Sequence, residues 1–174
     1  RACITLQDGS LVWLNAQSTL IYPSHFSGSE RKVQIMGEAF FEIAKNEKKP
    51  FYVVAQNAEM QVLGTKFNVY SYPETGITRT SLVEGAVQVS CDNSTEKVVL
   101  KPNEQVTVEN GKMTVELIKF PDALLWKEGI YSFNNERLID ITKKLELYYD
   151  VKIVVSNQLL RDIRYTCKFR QRDG

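Results

Sequence analysis

Few residues of this chain have the types and spacings that chemistry demands. A nucleophile–histidine–acid device would have to use His25, the single histidine, in the loop Tyr22-Pro23-Ser24-His25-Phe26-Ser27-Gly28. Nothing beside it resembles a strained Gly-x-Ser-x-Gly turn, so the residue reads as an ordinary loop histidine. Cys3, Cys91 and Cys167 lie far apart and form no Cys-x-x-Cys, so a transition-metal site would need mostly carboxylates. Their odd number argues against a disulfide framework; free structural thiols are expected, with one bridge as the competitor.

Glu38 and Glu42 fall on one side of a predicted strand, which in principle could offer two carboxylates for glycoside hydrolysis. Strand rise places them about 13 Å apart, beyond the usual carboxylate separation. They alternate with Ala39, Phe41 and Ile43, as the wet and dry faces of a half-buried strand do. Val62-Leu63-Gly64-Thr65-Lys66 lacks the spaced glycines and following helix of a phosphate loop and reads as a turn between strands. Asn93-Ser94-Thr95 fits a glycosylation pattern that is frequent by chance. Eight Tyr, eight Phe and two Trp could form a sugar platform, but most stand in alternating runs, where packing explains them. The chain therefore reads as no enzyme, with no catalytic residue, cofactor or metal expected.

What must position these residues is a mainly β chain. Its 174 residues suit one large or two small domains, with 43% hydrophobic content enough for a core. The 22 basic and 21 acidic residues are spread along the chain, so neither nucleic acid nor anionic lipid is indicated as a partner. No run reaches the roughly 18 uncharged apolar residues of a spanning helix, and the opening Arg1-Ala2-Cys3 reads as a cut just ahead of a domain.

From Ile4 to Ile118 short alternating runs are separated by turn residues. Asp8-Gly9 and Asn110-Gly111 mark the two cleanest hairpins. Between them strands are predicted at Lys32 to Met36, Ala39 to Ala44, Phe51 to Ala55, Met60 to Leu63, Phe67 to Tyr72, Thr78 to Val83, Ala86 to Ser90 and Lys97 to Leu100. Some ten strands in this length must close or stack, giving a sandwich, a jelly roll or a β-solenoid-like domain. Gly37, Gly64 and Gly85 suit corners where strands change sheet.

The pattern changes after Lys119-Phe120-Pro121-Asp122. The expected organisation is an all-β domain at 1–120 and a small α+β domain at 124–174. In the second, Gly129 to Phe133 reads as a strand and Glu136 to Tyr149 as an amphipathic helix. Asn134 and Asn135 would cap that helix, Lys143 and Lys144 would line its wet side, and Asp140 would pair with Lys144. Val151 to Val155 and Ile163 to Phe169 read as two further strands, a β-α-β-β order. Three strands and one helix make a thin core, so a further helix and strand are expected beyond Gly174.

The string Leu6-Gln7-Asp8-Gly9-Ser10-Leu11-Val12-Trp13-Leu14-Asn15-Ala16 resembles the opening of the FecR domain. Family elements follow in order: Tyr22-Pro23 with Phe26, Gly37-Glu38-Ala39-Phe40-Phe41-Glu42-Ile43-Ala44-Lys45, Pro50-Phe51, Val62-Leu63-Gly64-Thr65-Lys66-Phe67-Asn68-Val69 and Leu82-Val83-Glu84-Gly85-Ala86-Val87. Leu100-Lys101-Pro102-Asn103-Glu104-Gln105 departs at Asn103, where glycine is usual; asparagine also tolerates a left-handed turn. Trp126-Lys127-Glu128-Gly129, Phe133-Asn134-Asn135 and Leu145-Glu146-Leu147-Tyr148-Tyr149-Asp150-Val151 resemble the small C-terminal domain of such proteins.

The resemblance implies the periplasmic part of a single-pass inner-membrane anti-sigma factor, with a cytoplasmic sigma-binding segment outside these residues. It implies as partner the signalling domain of a TonB-dependent outer-membrane transporter, and no small-molecule substrate. A small domain with an exposed strand can accept another strand, which points to Tyr148, Tyr149, Val151, Ile153 and Val155 as contact residues, although taken one by one such alternating positions read first as simple core. The alternative reading is a carbohydrate-binding or adhesin-like sandwich, which requires an exposed aromatic strip.

Overall fold

The computed structural model describes residues 2–91, 95–118 and 122–170. The Asn93-Ser94-Thr95 pattern and the joint at 119–121 fall wholly or partly outside them. Contacts divide the chain into two compact units, 1–120 and 121–174.

The first unit is one twelve-stranded sheet folded into two half-sheets. Its strands are β1 (Ala2–Thr5), β2 (Leu11–Leu14), β3 (Thr19–Ile21), β4 (Arg31–Glu42), β5 (Phe51–Val54), β6 (Ala58–Val62), β7 (Lys66–Ser71), β8 (Ile77–Glu84), β9 (Val87–Cys91), β10 (Lys97–Leu100), β11 (Glu104–Glu109) and β12 (Lys112–Leu117). One half-sheet runs β1-β2-β4-β7-β8-β11-β12 and the other β3-β4-β5-β6-β9-β10. The chain lays down strands in pairs that alternate between the halves.

Strand β4 belongs to both. Its first part pairs with β3 as far as Met36, and from Gly37 onward it pairs with β7. The runs expected at Lys32 to Met36 and Ala39 to Ala44 are thus one strand, bent at Gly37. Gly64 stands between β6 and β7 and Gly85 between β8 and β9, both steps from one half-sheet to the other, as glycine corners require. A third such step, β10 to β11, uses Asn103 with φ +70°, the left-handed turn that asparagine accepts.

Period-two alternation turns one face of each half-sheet inward. Val12, Phe41, Phe67, Leu82 and Val106 from one half meet Val33, Phe51, Met60, Val89 and Leu100 from the other in a single buried cluster. Phe41 and Phe67, directly opposite across β4 and β7, stack at 5.2 Å. Both sequence-marked hairpins form, β1–β2 and β11–β12. Asn110 and Gly111 both take positive φ, +50° and +74°, the geometry of a type I′ turn. Gly111→Ala is expected to cost about 1 kcal/mol through backbone strain alone, since open space surrounds the added carbon. A urea midpoint shift reads that cost.

The second unit holds a 3-10 segment (Asp122–Glu128), β13 (Ile130–Arg137), helix α1 (Leu138–Tyr149), the short α2 (Gln158–Arg161) and β14 (Arg164–Arg170). β13 and β14 form an antiparallel pair, and Tyr131, Phe133 and Ile141 make its small core with Leu145, Tyr148 and Phe169. The unit is α+β as expected, with three corrections. Val151 to Val155 carries no strand, so the order is strand, helix, short helix, strand. Asn134 and Asn135 do not cap the helix: β13 runs through them with a bulge between Phe133 and Glu136, and Asn135 takes φ +52° there. Arg137 is the cap residue instead. Asp140 pairs with Arg137 at 2.7 Å, and Lys144 turns to Glu136 at 2.7 Å and to the Phe133 ring rather than lining a wet face with Lys143.

Candidate partner-binding surface

The residues that could have done chemistry are placed as structural or solvated groups. His25 is exposed, its Nδ1 3.3 Å from Ser24 Oγ. Glu38 is not on a wet face, contrary to the expectation: it is buried, and its two carboxylate oxygens accept hydrogen bonds from Asn15 Nδ2 at 2.7 Å and Asn68 Nδ2 at 3.0 Å. The cause is local to β4, which alternates buried and exposed up to Met36 and is buried at every position from Gly37 to Phe41. Glu42 is half-buried beside an open depression of about 360 Å³ lined also by Lys45, Lys66 and Glu84. The acids there are matched by cations, with Lys66 2.9 Å from Glu84.

Among the described residues no group of three His, Cys, Asp or Glu could hold a metal, and the cysteines are free thiols, Cys91 buried and Cys3 and Cys167 exposed. Tyr22 is the single large aromatic of the first unit with high exposure among the described residues, so no aromatic strip forms on it. Among the described residues no helix is long and apolar enough to cross a membrane.

What stands out is the apolar surface of the second unit. The five predicted contact residues lie at the end of α1 and in the stretch after it, which carries no strand. They do not behave alike. Tyr148 is committed inward, stacked 4.3 Å from Tyr131. Ile153 and Val155 are half-buried, and the Ile153 N–H donates to Glu146 Oε1 of α1 at 2.7 Å. Tyr149 and Val151 are exposed.

Val151 to Val155 makes no ladder among the described residues, so it presents no strand edge. Among the described residues β14 has one strand neighbour, β13, and six of its seven residues are exposed. Sequence reasoning missed the exposed Val154, Leu159, Leu160, Ile163 and Tyr165. The signal for Val154 was present: three consecutive β-branched residues, Ile153-Val154-Val155, cannot all turn to one side of an extended chain.

Charge is also uneven here. Between 151 and 170 stand five basic residues, Lys152, Arg161, Arg164, Lys168 and Arg170, against the single acidic Asp162. An excess of one sign of charge in a stretch with exposed apolar side chains favours a partner of opposite sign.

The family model described as FecR protein matches residues 1–88, and the one described as FecR, C-terminal matches residues 130–174. Two crystal structures of a protein assigned as an anti-sigma factor from Parabacteroides distasonis superpose on this chain with a TM-score of 0.91 and 32% identity. Each superposition covers 99% of this chain and 81% of the other. No curated protein sequence matches.

Proposed function

This chain belongs to the FecR family of anti-sigma factors, and from that premise we propose that it is the periplasmic receiving part of a membrane-anchored regulator. In this reading it links a TonB-dependent outer-membrane transporter to an extracytoplasmic-function sigma factor. The family is regulatory and not enzymatic, in keeping with a Glu38 held by two amides and a His25 in an open loop. Binding energy then carries the signal: a transporter signalling domain that engages the chain differently in its two states shifts the fate of the sigma-binding segment.

The observation that carries this reading is the order of the two matched regions, a FecR region followed by the family's C-terminal region, on one chain whose fold aligns over nearly its whole length. The second unit supplies the contact through its exposed edge and apolar surface. Calorimetric titration of the complete periplasmic region with the signalling domain of the transporter encoded beside it is expected to show saturable binding. Removing residues 121–174 should weaken that binding roughly tenfold or more. Absence of binding, together with unchanged expression of the neighbouring transport genes when the protein is deleted, would overturn the reading.

A further inference from the structure

We propose that the first unit pairs with a second copy of this chain, β12 lying antiparallel against its counterpart about a two-fold axis at Thr114. The proposal goes beyond the transporter reading and does not depend on it.

In the first unit four strands have a single strand neighbour among the described residues, β1, β3, β10 and β12. β12 is the longest of them at six residues and stands in the interior of the sequence, between the Asn110-Gly111 turn and the second unit. Its register fixes which backbone groups face outward. The type I′ turn makes Glu109 and Lys112 a hydrogen-bonded pair, and at the other end the Ile118 N–H donates to the Asn103 carbonyl at 2.8 Å. Lys112, Thr114 and Glu116 therefore turn their backbone groups to β11. Those of Met113, Val115 and Leu117 point outward, where no strand among the described residues meets them.

The side chains alternate in step. Met113 packs against the core cluster, so Val115 and Leu117 share its side, and both are exposed. Lys112, Thr114 and Glu116 take the other side and are exposed as well. Lys112 has no ion pair among the described residues. Glu116 Oε1 accepts from Gln105 Nε2 at 2.8 Å, which leaves the carboxylate further acceptor sites.

An antiparallel copy centred on Thr114 uses all of these features. Met113 meets the second copy's Val115 and Val115 meets its Met113, pairs of outward-pointing residues that exchange about four backbone hydrogen bonds. Their side chains continue the apolar row on the core side. On the other face Lys112 lies across from the second copy's Glu116, and Glu116 across from its Lys112, within about 5.5 Å. A one-residue slip would set outward groups against groups already bonded to β11, and a two-residue slip would break both charge pairs. A lysine on a sheet edge commonly keeps other strands away. Here the glutamate four residues on makes the edge complementary to itself, as an isologous contact requires.

So small an interface gives a weak dimer, and sedimentation velocity of the 174-residue chain between about 10 μM and about 1 mM is expected to show reversible monomer–dimer exchange. Lys112→Glu alone and Glu116→Lys alone each set like charges across the axis twice, and each is expected to weaken association at least tenfold. An equimolar mixture of the two variants should associate again, because one chain then supplies both acids and the other both bases. The chain carrying both exchanges should also recover. Val115→Pro removes an outward N–H that β11 does not use, so it is expected to abolish association while far-ultraviolet circular dichroism stays unchanged. A chain that stays monomeric throughout would overturn the proposal and leave Lys112 as a guard of the edge. Association that neither charge variant weakens would overturn it too, by placing the contact elsewhere, and so would a mixture that fails to associate.

Discussion

Arg31→Met is expected to destabilise the first unit by about 3–5 kcal/mol, the cost of removing one partner from a buried ion pair. Arg31 is 2% exposed. Its Nη1 donates to Asp8 Oδ2 at 2.6 Å and to the Ala44 carbonyl at 2.9 Å, and its Nε donates to the Lys49 carbonyl at 2.9 Å. The guanidinium also lies 5.2 Å over the Phe51 ring. Asp8 is bound in turn by Ser10, whose N–H and hydroxyl both donate to its carboxylate, and the Ser10 hydroxyl accepts from the Ala44 N–H. Methionine fills much of the volume but leaves the Asp8 carboxylate facing an apolar wall and strips donors from two carbonyls. Asp8→Asn loses the charge and turns one of the two accepting oxygens into an NH2 donor, so a double-mutant cycle with Arg31→Met is needed to measure the coupling of the pair. A coupling of about 1–3 kcal/mol in urea unfolding is expected. A loss below 1 kcal/mol for Arg31→Met would show that the network is dispensable.

Nothing in the sequence pattern marks that network. Arg31 stands in Glu30-Arg31-Lys32, which reads as a solvated run, and only the tertiary fold brings Asp8, Ala44 and Lys49 around it. The features legible from sequence were the ones decided within a few residues. Asn110-Gly111 needs two positive φ angles and has the two residues that take them most readily. Asn103 replaces a family glycine and keeps the left-handed turn. The alternation that separates Phe41 from Phe40 is equally local, and it placed Phe41 in the core cluster. Whether the opposite face is wet is not local: Glu38 and Phe40 are buried, and period two says nothing about what covers a second face. Val151 to Val155 failed for a related reason. Its β-branched composition fits a pleated surface, but a strand also needs a neighbour's ladder, and none of the described residues provides one. The five contact residues expected from sequence stand at the end of α1 and just after it, Tyr149 and Val151 exposed and Tyr148 packed inward, in a stretch that carries no strand.

The second large effect is expected at Gly37, where Gly37→Ala should cost about 2–5 kcal/mol, combining left-handed backbone strain with overpacking. The residue has φ +106°, and a Cβ there would stand 2.7 Å from the Ser18 Cα, a backbone atom that cannot rotate away. The contact matters because Ser18 is itself held: its hydroxyl donates to the Ala16 carbonyl at 3.1 Å and accepts from the Glu38 N–H at 2.9 Å. Pushing Ser18 aside therefore disturbs the residue beside the glycine and the buried Glu38, Asn15 and Asn68 group it positions. Gly28 supplies the control, since it shares a positive φ of +77° with nothing near the missing Cβ. Gly28→Ala is expected to cost only about 1 kcal/mol, the strain without the collision. Ser18→Gly removes the side chain but not the Cα, so it should recover little of the Gly37→Ala loss. Thermal and urea unfolding of these three single variants, and of Ser18→Gly combined with Gly37→Ala, separate these contributions. Equal losses at Gly28 and Gly37 would mean that β4 can cross between half-sheets without the close approach. The expected inequality makes the close approach at this crossing, through which one strand joins both halves around a shared core, a constraint separate from backbone strain.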